Sequence, residues 1–448
     1  MLKNKSYFWW ALILLLMMTP LVLSKWGAVE TVSAYEGEAY KRIKTFVEVL
    51  SLVKQNYVEE VDDKELVYGA IRGMLSSLDP HSSFMTPDSY HEMQIETKGE
   101  FGGLGIQIGM KDNMLTVIAP IEDTPAFVAG VKAGDFIIKI NNETTKDLTL
   151  MEAVNKLRGE KGTSVTITIV RAGLDKPIDF TIIRDIIKTK SVKHKIIDNE
   201  IGYVRLMQFQ EQSAADLETA LVEISKTKGI TGLVLDLRNN PGGLLNSAVD
   251  VSSKFLPANK LVVYIKGRVG EKTEYKTKNG NKPYDYPMIV LVNEGSASAS
   301  EIVAGALQDW GRAVILGTKT FGKGSVQTVM ELSDGSGLRL TTARYYTPKD
   351  RSIQTTGIEP DIAVKSENGS GTHPIVREKD LARHLENDLI KTKDKEVKKD
   401  EAADNPVITE EDAPEAVVKD EKAEDIQLQR AVDLLKGWQV FKDLKKAS

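Results

Sequence analysis

The chain has 448 residues, too many for one ordinary hydrophobic core, so two or three domains are expected. Its 41% hydrophobic and 27% charged residues are typical of a globular protein, and a net charge of −5 argues against nucleic acid as the main partner. The absence of cysteine excludes disulfides, thiolate metal sites and a cysteine nucleophile, and it is compatible with an oxidising compartment. The five histidines form no H-E-x-x-H or H-x-x-x-H pair, which leaves little support for a zinc hydrolase.

The first 24 residues have the pattern of a targeting segment. Lys3 and Lys5 precede an apolar run from Tyr7 to Leu23, which is either a secretory signal peptide or a single membrane anchor. The sequence leaves both alternatives open, because Val22-Leu23-Ser24 is a tolerable cleavage site but not an Ala-x-Ala. Either one places the rest of the chain outside the cytoplasm, since the two lysines hold the N-terminus inside. We therefore expect a periplasmic or extracytoplasmic protein, with residues 7–23 as the candidate inner-membrane anchor.

Residues 38–95 predict an N-terminal helical region. Apolar residues from Ile43 to Val53 fall mostly on one face of a first helix. A second helix is predicted to be capped by Asp62 and to be broken at Asp79-Pro80. This amphipathic region is either a dimerisation surface or a helical cap that packs on its own chain.

Residues 96–186 are rich in glycine and in short apolar segments of strand length, such as "DFIIKIN" and "SVTITIVR". With its "AGVKAGDFIIKIN" signature, this stretch resembles a PDZ domain, a small β-barrel with helices, in which "GGLGI" is the carboxylate-binding loop. Successive glycines can turn backbone N–H groups towards a C-terminal carboxylate, and the next strand edge can accept an extended peptide. The alternative is a glycine-rich hairpin without a ligand. The predicted peptide-binding residues are Gly102, Gly103, Leu104, Gly105 and Ile106.

Three further segments follow. Residues 187–384 alternate short apolar strands with helices, which predicts an α/β core around a largely parallel sheet. Residues 385–424 are dominated by Lys, Asp and Glu and cannot bury enough apolar surface to fold, so we expect a disordered linker. Residues 425–448 predict one amphipathic helix that either docks a partner or folds back onto the body of the protein. Its predicted apolar face consists of Leu428, Ala431, Leu434, Leu435 and Trp438.

The stretch "NEGSASASEIVAGAL", residues 293–307, places three serines where an apolar strand becomes a helix. A serine there stands at the positive end of a helix dipole, beside unpaired N–H groups that can face a developing oxyanion. Ser-Ala repeats also serve as N-caps and tight turns, so this stretch alone does not decide between catalysis and packing.

A nucleophilic serine needs a base, and none of the five histidines lies in a comparable context. Lys323 stands between Gly322 and Gly324 and close to the ring of Phe321, which makes it a candidate, because burial lowers the pKa of a lysine towards the working pH. The alternative is an ordinary surface lysine.

Together, "GSASASE" and "FGKGSVQ" resemble peptidase family S41, the C-terminal processing (tail-specific) serine proteases. The resemblance covers residues 40–365, with the PDZ domain inserted before the catalytic core. The segments "SSLDPHSSFMTP", "LRGEKGT", "DLRNNPGGLL" and "YYTPKDRSIQTTGIEPDI" stand in the order of the family. The resemblance implies that Ser298 is the nucleophile, that Lys323 is the general base and that Gln327 orients the lysine.

The resemblance also implies supporting residues. The N–H of Ala299 forms one half of an oxyanion hole, and the N–H of Gly242 or Gly243 forms the other; the sequence does not choose between the two glycines. Arg158, a charge on the PDZ domain, is implied to couple peptide binding to activation. The remaining assignments are structural support by Asp236 and Arg238, at the end of a buried strand, and by Asp309, for which a salt bridge is expected.

The expected protein is thus a multidomain α+β serine endopeptidase outside the cytoplasm. Its PDZ domain binds the free C-terminus of a protein substrate, and a Ser-Lys dyad cleaves the chain through an acyl-enzyme without a metal or organic cofactor. Expected partners are protein substrates, further copies of the chain and an adaptor on the C-terminal helix, but not nucleic acid. The alternatives are a protease held inactive until a partner binds, or a non-catalytic PDZ-containing binding protein. The presence of both dyad residues disfavours the latter.

Overall fold

The computed structural model describes residues 38, 40–174, 176–268, 271–278, 280, 282–365, 376–389 and 425–447. The chain divides into two compact units, Met1–Leu75 and Ser76–Ser448. The predicted signal or anchor in residues 1–24 lies outside the described residues, as does most of the predicted linker. Among the helices that the structure describes, none combines the length and the apolar character needed to span a bilayer.

The first unit contains helices α1 (residues 40–56) and α2 (Asp63–Ser76), as the periodicity predicts. The carboxylate of Asp62 accepts the backbone N–H of Lys64 at 2.6 Å, which is the expected N-cap of α2. A salt bridge of 2.6 Å between Lys54 and Asp63 joins the two helices. Several apolar side chains of α1 are exposed: Ile43, Phe46, Val47 and Leu52.

Two elements follow the second helix: β1 (Ser83–Met85) and α3 (Pro87–Lys98). The predicted helix break at Asp79-Pro80 agrees with the end of α2 at Ser76, but the helical region assigned to residues 38–95 omits the strand β1 and ends three residues before the end of α3. Phe84 and Met85 are buried because β1 pairs with the strand Gly337–Tyr346, more than 250 residues later in the chain, and local periodicity does not reveal such a partner. Thr86 accepts an N–H as the N-cap of α3, and Pro87 starts the helix.

The PDZ region forms a mostly antiparallel fold. Its main sheet has the order β3-β4-β5-β7-β8, with β6 on β5, and β2 pairs with β9. In β7 alternate residues, including Val165, Ile167 and Ile169, point into one apolar cluster, the periodicity of a half-buried strand. The elements are β2 (Glu100–Gly103), β3 (Ile106–Lys111), β4 (Met114–Pro120), α4 (Pro125–Ala129), β5 (Phe136–Ile140), β6 (Glu143–Thr144), α5 (Leu150–Leu157), β7 (Ser164–Val170), β8 (Ile178–Ile183) and β9 (Asp185–Lys188).

The α/β core follows. Its elements are β10 (Val192–Ile197), β11 (Ile201–Leu206), α6 (Ser213–Lys226), β12 (Gly232–Asp236), α7 (Leu245–Ser253), β13 (Leu261–Gly267), β14 (Thr273–Lys276), β15 (Met288–Val292), α8 (Ala299–Asp309), β16 (Val314–Gly317), β17 (Ser325–Glu331), β18 (Gly337–Tyr346), β19 (Ile362–Ala363) and α9 (Ile426–Ala447). The first sheet has the order β10-β11-β12-β15-β16-β19 and is parallel from β11 onwards. A second, antiparallel sheet has the order β1-β18-β13-β14, with β17 on β18. The largely parallel α/β core is confirmed.

Helices cover both faces of the parallel sheet. Every residue of β12 and β15 is buried, as expected for parallel strands enclosed on two sides. Helices α6, α7 and α8 contribute to the apolar cluster on one face. On the other face α9 buries Ala431, Val432 and Leu435, so the C-terminal helix folds back onto the protein. Trp438 lies outside this packed surface and is 60% exposed, although the periodicity placed it on the same face.

The predicted linker begins later than residue 385. The buried side-chain amide of Asn387 donates to the backbone carbonyl of Gln354 at 2.9 Å, so the segment to residue 389 packs on the core. Composition alone places the boundary too early, because a few specific hydrogen bonds order a polar segment.

Candidate active site

Two loops meet at the carboxyl edge of the parallel sheet. β12 and β15 are neighbours, with Asp236 opposite Leu291. The chain that leaves β12 forms the 237–243 loop, and the chain that leaves β15 forms the serine turn, residues 293–298, which leads into α8. In open α/β sheets this edge carries the ligand site, so the loop and the turn are the natural place for a catalytic centre.

Hydrogen bonds fix the 237–243 loop to the serine turn. Asn239 and Asn293 exchange two hydrogen bonds of 2.8 Å each. The backbone N–H of Ala297 donates to the carbonyl of Asn240 at 3.0 Å. The Asn240 side chain is fully buried and donates to the Leu206 carbonyl at 2.8 Å. The relative position of the two loops is therefore set by paired polar groups away from water.

The three serines of the turn have different environments. The hydroxyl of Ser296 is buried and donates to the Leu237 carbonyl at 2.8 Å. The hydroxyl of Ser300 is buried and donates to the Asn240 carbonyl at 2.9 Å. Both are occupied in joining the turn to the 237–243 loop. Ser298 is the serine of this group that reaches the surface, which singles it out as the residue a substrate can contact.

Ser298 has an unusual backbone conformation. Its φ of 54° and ψ of −113° lie outside the regions that a residue with a Cβ ordinarily adopts. Ser298 is also the N-cap of α8, so the positive end of the helix dipole lies beside its hydroxyl. Strain of this kind persists where surrounding contacts enforce it, and it clusters at functional sites.

Glu301 is the contact that enforces this geometry. Its side chain is fully buried and accepts the N–H of Ser298 at 2.8 Å and the N–H of Lys323 at 3.0 Å on the same oxygen, Oε2. Its other oxygen accepts the Gly322 N–H at 2.7 Å and the Thr320 hydroxyl at 2.6 Å. Burial raises the pKa of Glu301 to about 7, and these four donors oppose the rise. One carboxylate thus joins the backbone of the serine turn to the backbone of the Lys323 segment.

Sequence analysis missed Glu301, although a signal was present. The pattern S-x-x-E at Ser298–Glu301 is that of a capping box, in which the glutamate binds the N-cap N–H. The sequence does not show that the same carboxylate also holds a second segment 22 residues further along.

Lys323 carries a depressed pKa. Burial of the side chain lowers the pKa of Lys323, the negative charge of Glu378 opposes this, and the positive charge of Arg339 adds to it. The carboxylates of Glu301 and Asp79 also favour the ammonium form. The lysine that the sequence singled out therefore lies in an environment that favours the neutral amine more than water does.

Tyr345 is a second residue that sequence analysis did not single out. This fully buried side chain from β18 donates its hydroxyl to the Lys323 carbonyl and is also hydrogen-bonded to the Ser298 side chain. Burial raises the pKa of Tyr345 well above its ordinary value, so the hydroxyl stays protonated. Tyr345 lies inside the motif "YYTPKDRSIQTTGIEPDI", but nothing in that motif distinguishes it from Tyr346.

A second buried carboxylate supports the Lys323 segment from the other side. Glu378 is fully buried and binds His81 Nε2 at 2.8 Å and the Gln354 amide at 2.8 Å. The carbonyl oxygen of the same Gln354 side chain accepts the Gly324 N–H at 2.9 Å. The glycines on both sides of Lys323 are thus held by Glu301 and Gln354.

Gln327 lies on β17 near this cluster. Its side-chain amide donates to the Ser325 hydroxyl at 3.0 Å and to the Thr341 hydroxyl at 3.3 Å. In this arrangement its polar contacts are with two hydroxyl groups, and its orienting role towards Lys323 remains a prediction.

The two glycines that are alternatives for the second oxyanion donor differ in their surroundings. Gly242 is buried, has a φ of 103°, and its N–H donates to the Asn240 side chain at 2.9 Å. Its Cα lies so close to the serine turn that an added Cβ would be 2.8 Å from Ser298 Cβ and 2.9 Å from Ala299 N. Gly243 is exposed. These differences favour the N–H of Gly243, together with that of Ala299, as the pair of donors.

The remaining predicted residues have clear contacts. Asp236 and Arg238 form an ion pair of 2.7 Å at the end of β12, with Asp236 fully buried. Asp309 at the end of α8 forms an ion pair with Arg351 and accepts the Lys349 N–H at 2.8 Å. These contacts support the end of β12 and the end of α8.

The PDZ glycine segment is partly strand and partly turn. Gly102 and Gly103 belong to β2, paired with β9, so the turn itself consists of Leu104 and Gly105. Gly105 has a φ of 77°, and β3, which begins at Ile106, is the edge strand of the PDZ sheet. Nearby, a cavity of about 470 Å³ is lined by residues of α3, β2, β9 and the loop after α5.

Arg158 is one of the residues that line this cavity. Its guanidinium forms an ion pair with Glu92 on α3 and stacks over the Phe101 ring, 4.7 Å from the centroid. The charge that the resemblance singles out therefore connects the PDZ domain to the helix that enters it.

Comparisons with known proteins agree with this fold. The model of peptidase family S41 matches residues 200–364, a PDZ domain model matches residues 102–182, and the model of the activating protease CtpB N-terminal domain matches residues 20–89. The chain is 45% identical over 408 residues, 90% of either chain, to a carboxy-terminal-processing protease of Bartonella bacilliformis. It is 40% identical to a carboxyl-terminal-processing protease of Synechocystis over 70% of this chain and 75% of that one. It is 36% identical to carboxy-terminal processing protease CtpB of Bacillus subtilis over 82% and 76%.

The fold and these matches define a serine-type peptidase with an inserted PDZ domain. The chain belongs to peptidase family S41. No group of three or more His, Asp or Glu side chains within the described parts of the chain is placed to hold a metal ion.

Proposed function

We propose that the chain is an endopeptidase that acts by a Ser298–Lys323 dyad on proteins whose C-terminus its PDZ domain binds. The observation that carries the proposal is the position of Glu301. A single carboxylate oxygen accepts the N–H of both dyad residues, which brings the strained serine and the lysine of lowered pKa to one place. The relatives, which are named as carboxy-terminal processing proteases, support the substrate class.

Each step has a group of this chain to perform it. The neutral amine of Lys323 accepts the proton of the Ser298 hydroxyl as its oxygen attacks the peptide carbonyl. The N–H groups of Ala299 and Gly243 stabilise the oxyanion, aided by the dipole of α8. The protonated Lys323 then gives its proton to the leaving amine and an acyl-enzyme remains. Water, deprotonated by the same lysine, releases the product.

Recognition is assigned to the edge of the PDZ sheet. An extended peptide can add to β3 by backbone hydrogen bonds, with its carboxylate at the Leu104-Gly105 turn. Arg158, near the end of α5, is available to the same carboxylate when it leaves Glu92. In this proposal, peptide binding and release of the Arg158–Glu92 pair occur together.

The test uses an unfolded protein with an apolar C-terminus, at about pH 8, because a mildly basic pH increases the neutral fraction of a lysine whose pKa is lowered. Wild type is compared with Ser298→Ala, Lys323→Ala and the control Ser225→Ala, an exposed serine of α6, and circular dichroism checks that each variant is folded. We expect cleavage by wild type and by Ser225→Ala and none by the other two. Cleavage by folded Ser298→Ala would show that the nucleophile lies elsewhere.

We further propose that catalysis takes place outside the cytoplasm, because Lys3 and Lys5 precede an apolar run and the chain lacks cysteine. N-terminal sequencing of the protein from a membrane fraction and a periplasmic fraction tests this. A start after Ser24 shows a cleaved signal, whereas an intact N-terminus in the membrane fraction shows an anchor. Recovery of the full chain in the cytoplasm alone would contradict the proposal.

Self-association or an adaptor contact is proposed at the distal end of α9. Trp438 is 60% exposed and Phe441 is 72% exposed, although the helix is docked at its other end. Light scattering of Trp438→Ser/Phe441→Ser should give a smaller mass than wild type, with Val222→Ser, a 40% exposed residue of α6, as the control. Equal masses for all three proteins would remove this assignment.

A further inference from the structure

A two-pronged ion pair joins the C-terminal helix to the 237–243 loop. Asp425, directly before α9, accepts Nη1 and Nη2 of Arg238, each at 2.7 Å, across 187 residues of sequence. The same guanidinium binds Asp236 through Nε at 2.9 Å and Nη2 at 2.7 Å. Arg238 is therefore held between two carboxylates, with its side chain only 13% exposed. Charge-assisted pairs of this form fix geometry as well as contributing energy.

The helix gives Asp425 a fixed position. Ala431, Val432 and Leu435 anchor α9 in the apolar cluster on the sheet. Gln427, in the first turn, accepts from Arg238 Nη1 at 3.1 Å and donates to the Val364 carbonyl at 2.8 Å. Asp425 is thus a part of the core scaffold, although a long polar segment precedes it in sequence.

The loop beyond Arg238 depends on such anchors. Asn239 has a φ of 56°, Gly242 of 103° and Gly243 of 138°, so three of the five residues after Arg238 are in left-handed conformations. A backbone of this kind keeps one shape where its surroundings impose it. The serine turn holds Asn239 and Asn240 from one side. Arg238 is the attachment on the other side, where the loop leaves β12.

We propose that Asp425 is a positioning residue for the oxyanion hole. Through Arg238 it fixes the start of the 237–243 loop and so aims the Gly243 N–H at the reacting carbonyl. The C-terminal helix then supplies part of the scaffold of the catalytic centre. This role is separate from the packing of the helix on the sheet and from the contact proposed for its exposed end. This inference rests on the proposed function, because it takes Gly243 as an oxyanion donor.

The test replaces Asp425 by asparagine. Asparagine caps a helix as well as aspartate does, so the bond from the Leu428 N–H, 3.1 Å in this structure, can persist while the charge facing Arg238 is lost. A misplaced oxyanion donor acts in the transition state, so we expect kcat to fall about tenfold with KM unchanged. Arg238→Lys keeps the charge, loses the planar fork, and should shift kcat in the same direction.

Lys436→Met is the matched control. It removes two ion pairs of α9, with Asp198 at 2.6 Å and Glu200 at 3.5 Å, and leaves Arg238 untouched. We expect its kcat to equal that of wild type, with thermal melts recorded for all variants. Wild-type kcat in both Asp425→Asn and Arg238→Lys would overturn the inference. An equal fall in kcat for Lys436→Met would show that helix docking alone matters. Every one of these variants keeps Ser298 and Lys323, so none of these results contradicts the dyad proposal. The Ser298→Ala variant tests the dyad separately.

Discussion

The protease core and the PDZ domain place their functional groups in opposite environments. Around Ser298 the polar side chains that set the geometry are hidden from water: Asp236, Asn240 and Glu301 are each 0% exposed. On the two PDZ elements that flank the proposed peptide site, apolar side chains face solvent instead, with Met110 of β3 42% exposed and Met151 of α5 47% exposed.

This difference separates two tasks. A buried, fully paired polar network has few alternative arrangements, which suits a site where donors must meet a transition state within tenths of an ångström. An exposed strand edge with flexible methionines can accept peptides of many sequences, since the backbone supplies the hydrogen bonds. Changes in the core network should therefore act on kcat, and changes in the PDZ turn should act on KM.

Glu301→Gln should have the largest effect on the core. An amide has one acceptor oxygen where the carboxylate has two, and its NH₂ group would face backbone N–H donors. Depending on the orientation of the amide, either the N–H groups of Ser298 and Lys323 or the N–H of Gly322 therefore lose their acceptor. We expect kcat to fall at least about 100-fold with KM little changed.

The control for this prediction is Glu294→Gln. Glu294 lies in the same turn, is half-buried and makes one hydrogen bond of 2.8 Å to the Thr318 hydroxyl. Steady-state kinetics on one reporter peptide should leave this variant near wild type. If both variants lose activity equally, Glu301 is a general structural residue and not the link within the dyad.

Gly242→Ala comes next. An alanine Cβ would lie 2.8 Å from Ser298 Cβ, and the φ of 103° would be strained as well. We expect a fall in kcat of about 30-fold, because the collision displaces the nucleophile. Gly229→Ala separates strain from collision, since Gly229 has a φ of 92° and nothing within 4 Å of an added Cβ. It should lose stability by about 1 kcal/mol and keep its kcat; a similar loss of kcat there would attribute the effect to strain.

The sequence predicted the architecture well because most helices and strands are determined by residues close to one another in the chain. The alternation of strands and helices predicted for residues 187–384 is present in the structure, for example as the strand Ile201–Leu206 followed by the helix Ser213–Lys226, since apolar periodicity is set by neighbours within one turn or one pleat. β1 was missed because its partner lies more than 250 residues away. For the same reason the pairing of Asp425 with Arg238 was beyond local patterns.

The candidate site was predicted unevenly. Ser298 and Lys323 were singled out through motifs, because a nucleophile and a base must be particular residue types, and their roles stay proposals. Glu301 and Tyr345 were missed because their roles follow from where a buried side chain points after folding. The preference for Gly243 over Gly242 as the proposed oxyanion donor likewise rests on the hydrogen bond from the Gly242 N–H to Asn240, which local sequence does not reveal.

Gly105→Ala tests the PDZ side of the comparison. Gly105 has a φ of 77°, and an added Cβ would lie 2.2 Å from Thr124 Cβ, so the turn that receives the peptide carboxylate must move. We expect KM to rise about tenfold while kcat at saturation is retained. Gly134→Ala has a similar φ of 85° without contacts and is the control. A fall in kcat without a change in KM would contradict the division of tasks.

Glu378→Gln changes the chemistry of the core more gently. The Glu378 carboxylate raises the pKa of Lys323 against the lowering by burial, so removing its charge should lower that pKa further. The dyad works with neutral lysine, which forms above its pKa, so the rising limb of kcat against pH should move to lower pH. Asp380→Asn, an exposed carboxylate of the same segment, should leave the profile in place. A shift to higher pH would show that the acid limb does not report Lys323.

The smallest effect is expected where the PDZ domain contacts α3. Glu92 on α3 pairs with Arg158, so in the peptide-free protein the carboxylate of a substrate must compete with Glu92 for the guanidinium. Glu92→Gln removes that competitor while the stacking on Phe101 can persist, and partly buried pairs of this kind contribute about 1 kcal/mol. We expect KM to fall about threefold with kcat unchanged, and peptide affinity measured by fluorescence anisotropy to rise by the same factor. Arg158→Gln should do the reverse. If both variants weaken binding, the pair serves to hold the PDZ domain on α3, and Arg158 is not a ligand of the peptide carboxylate.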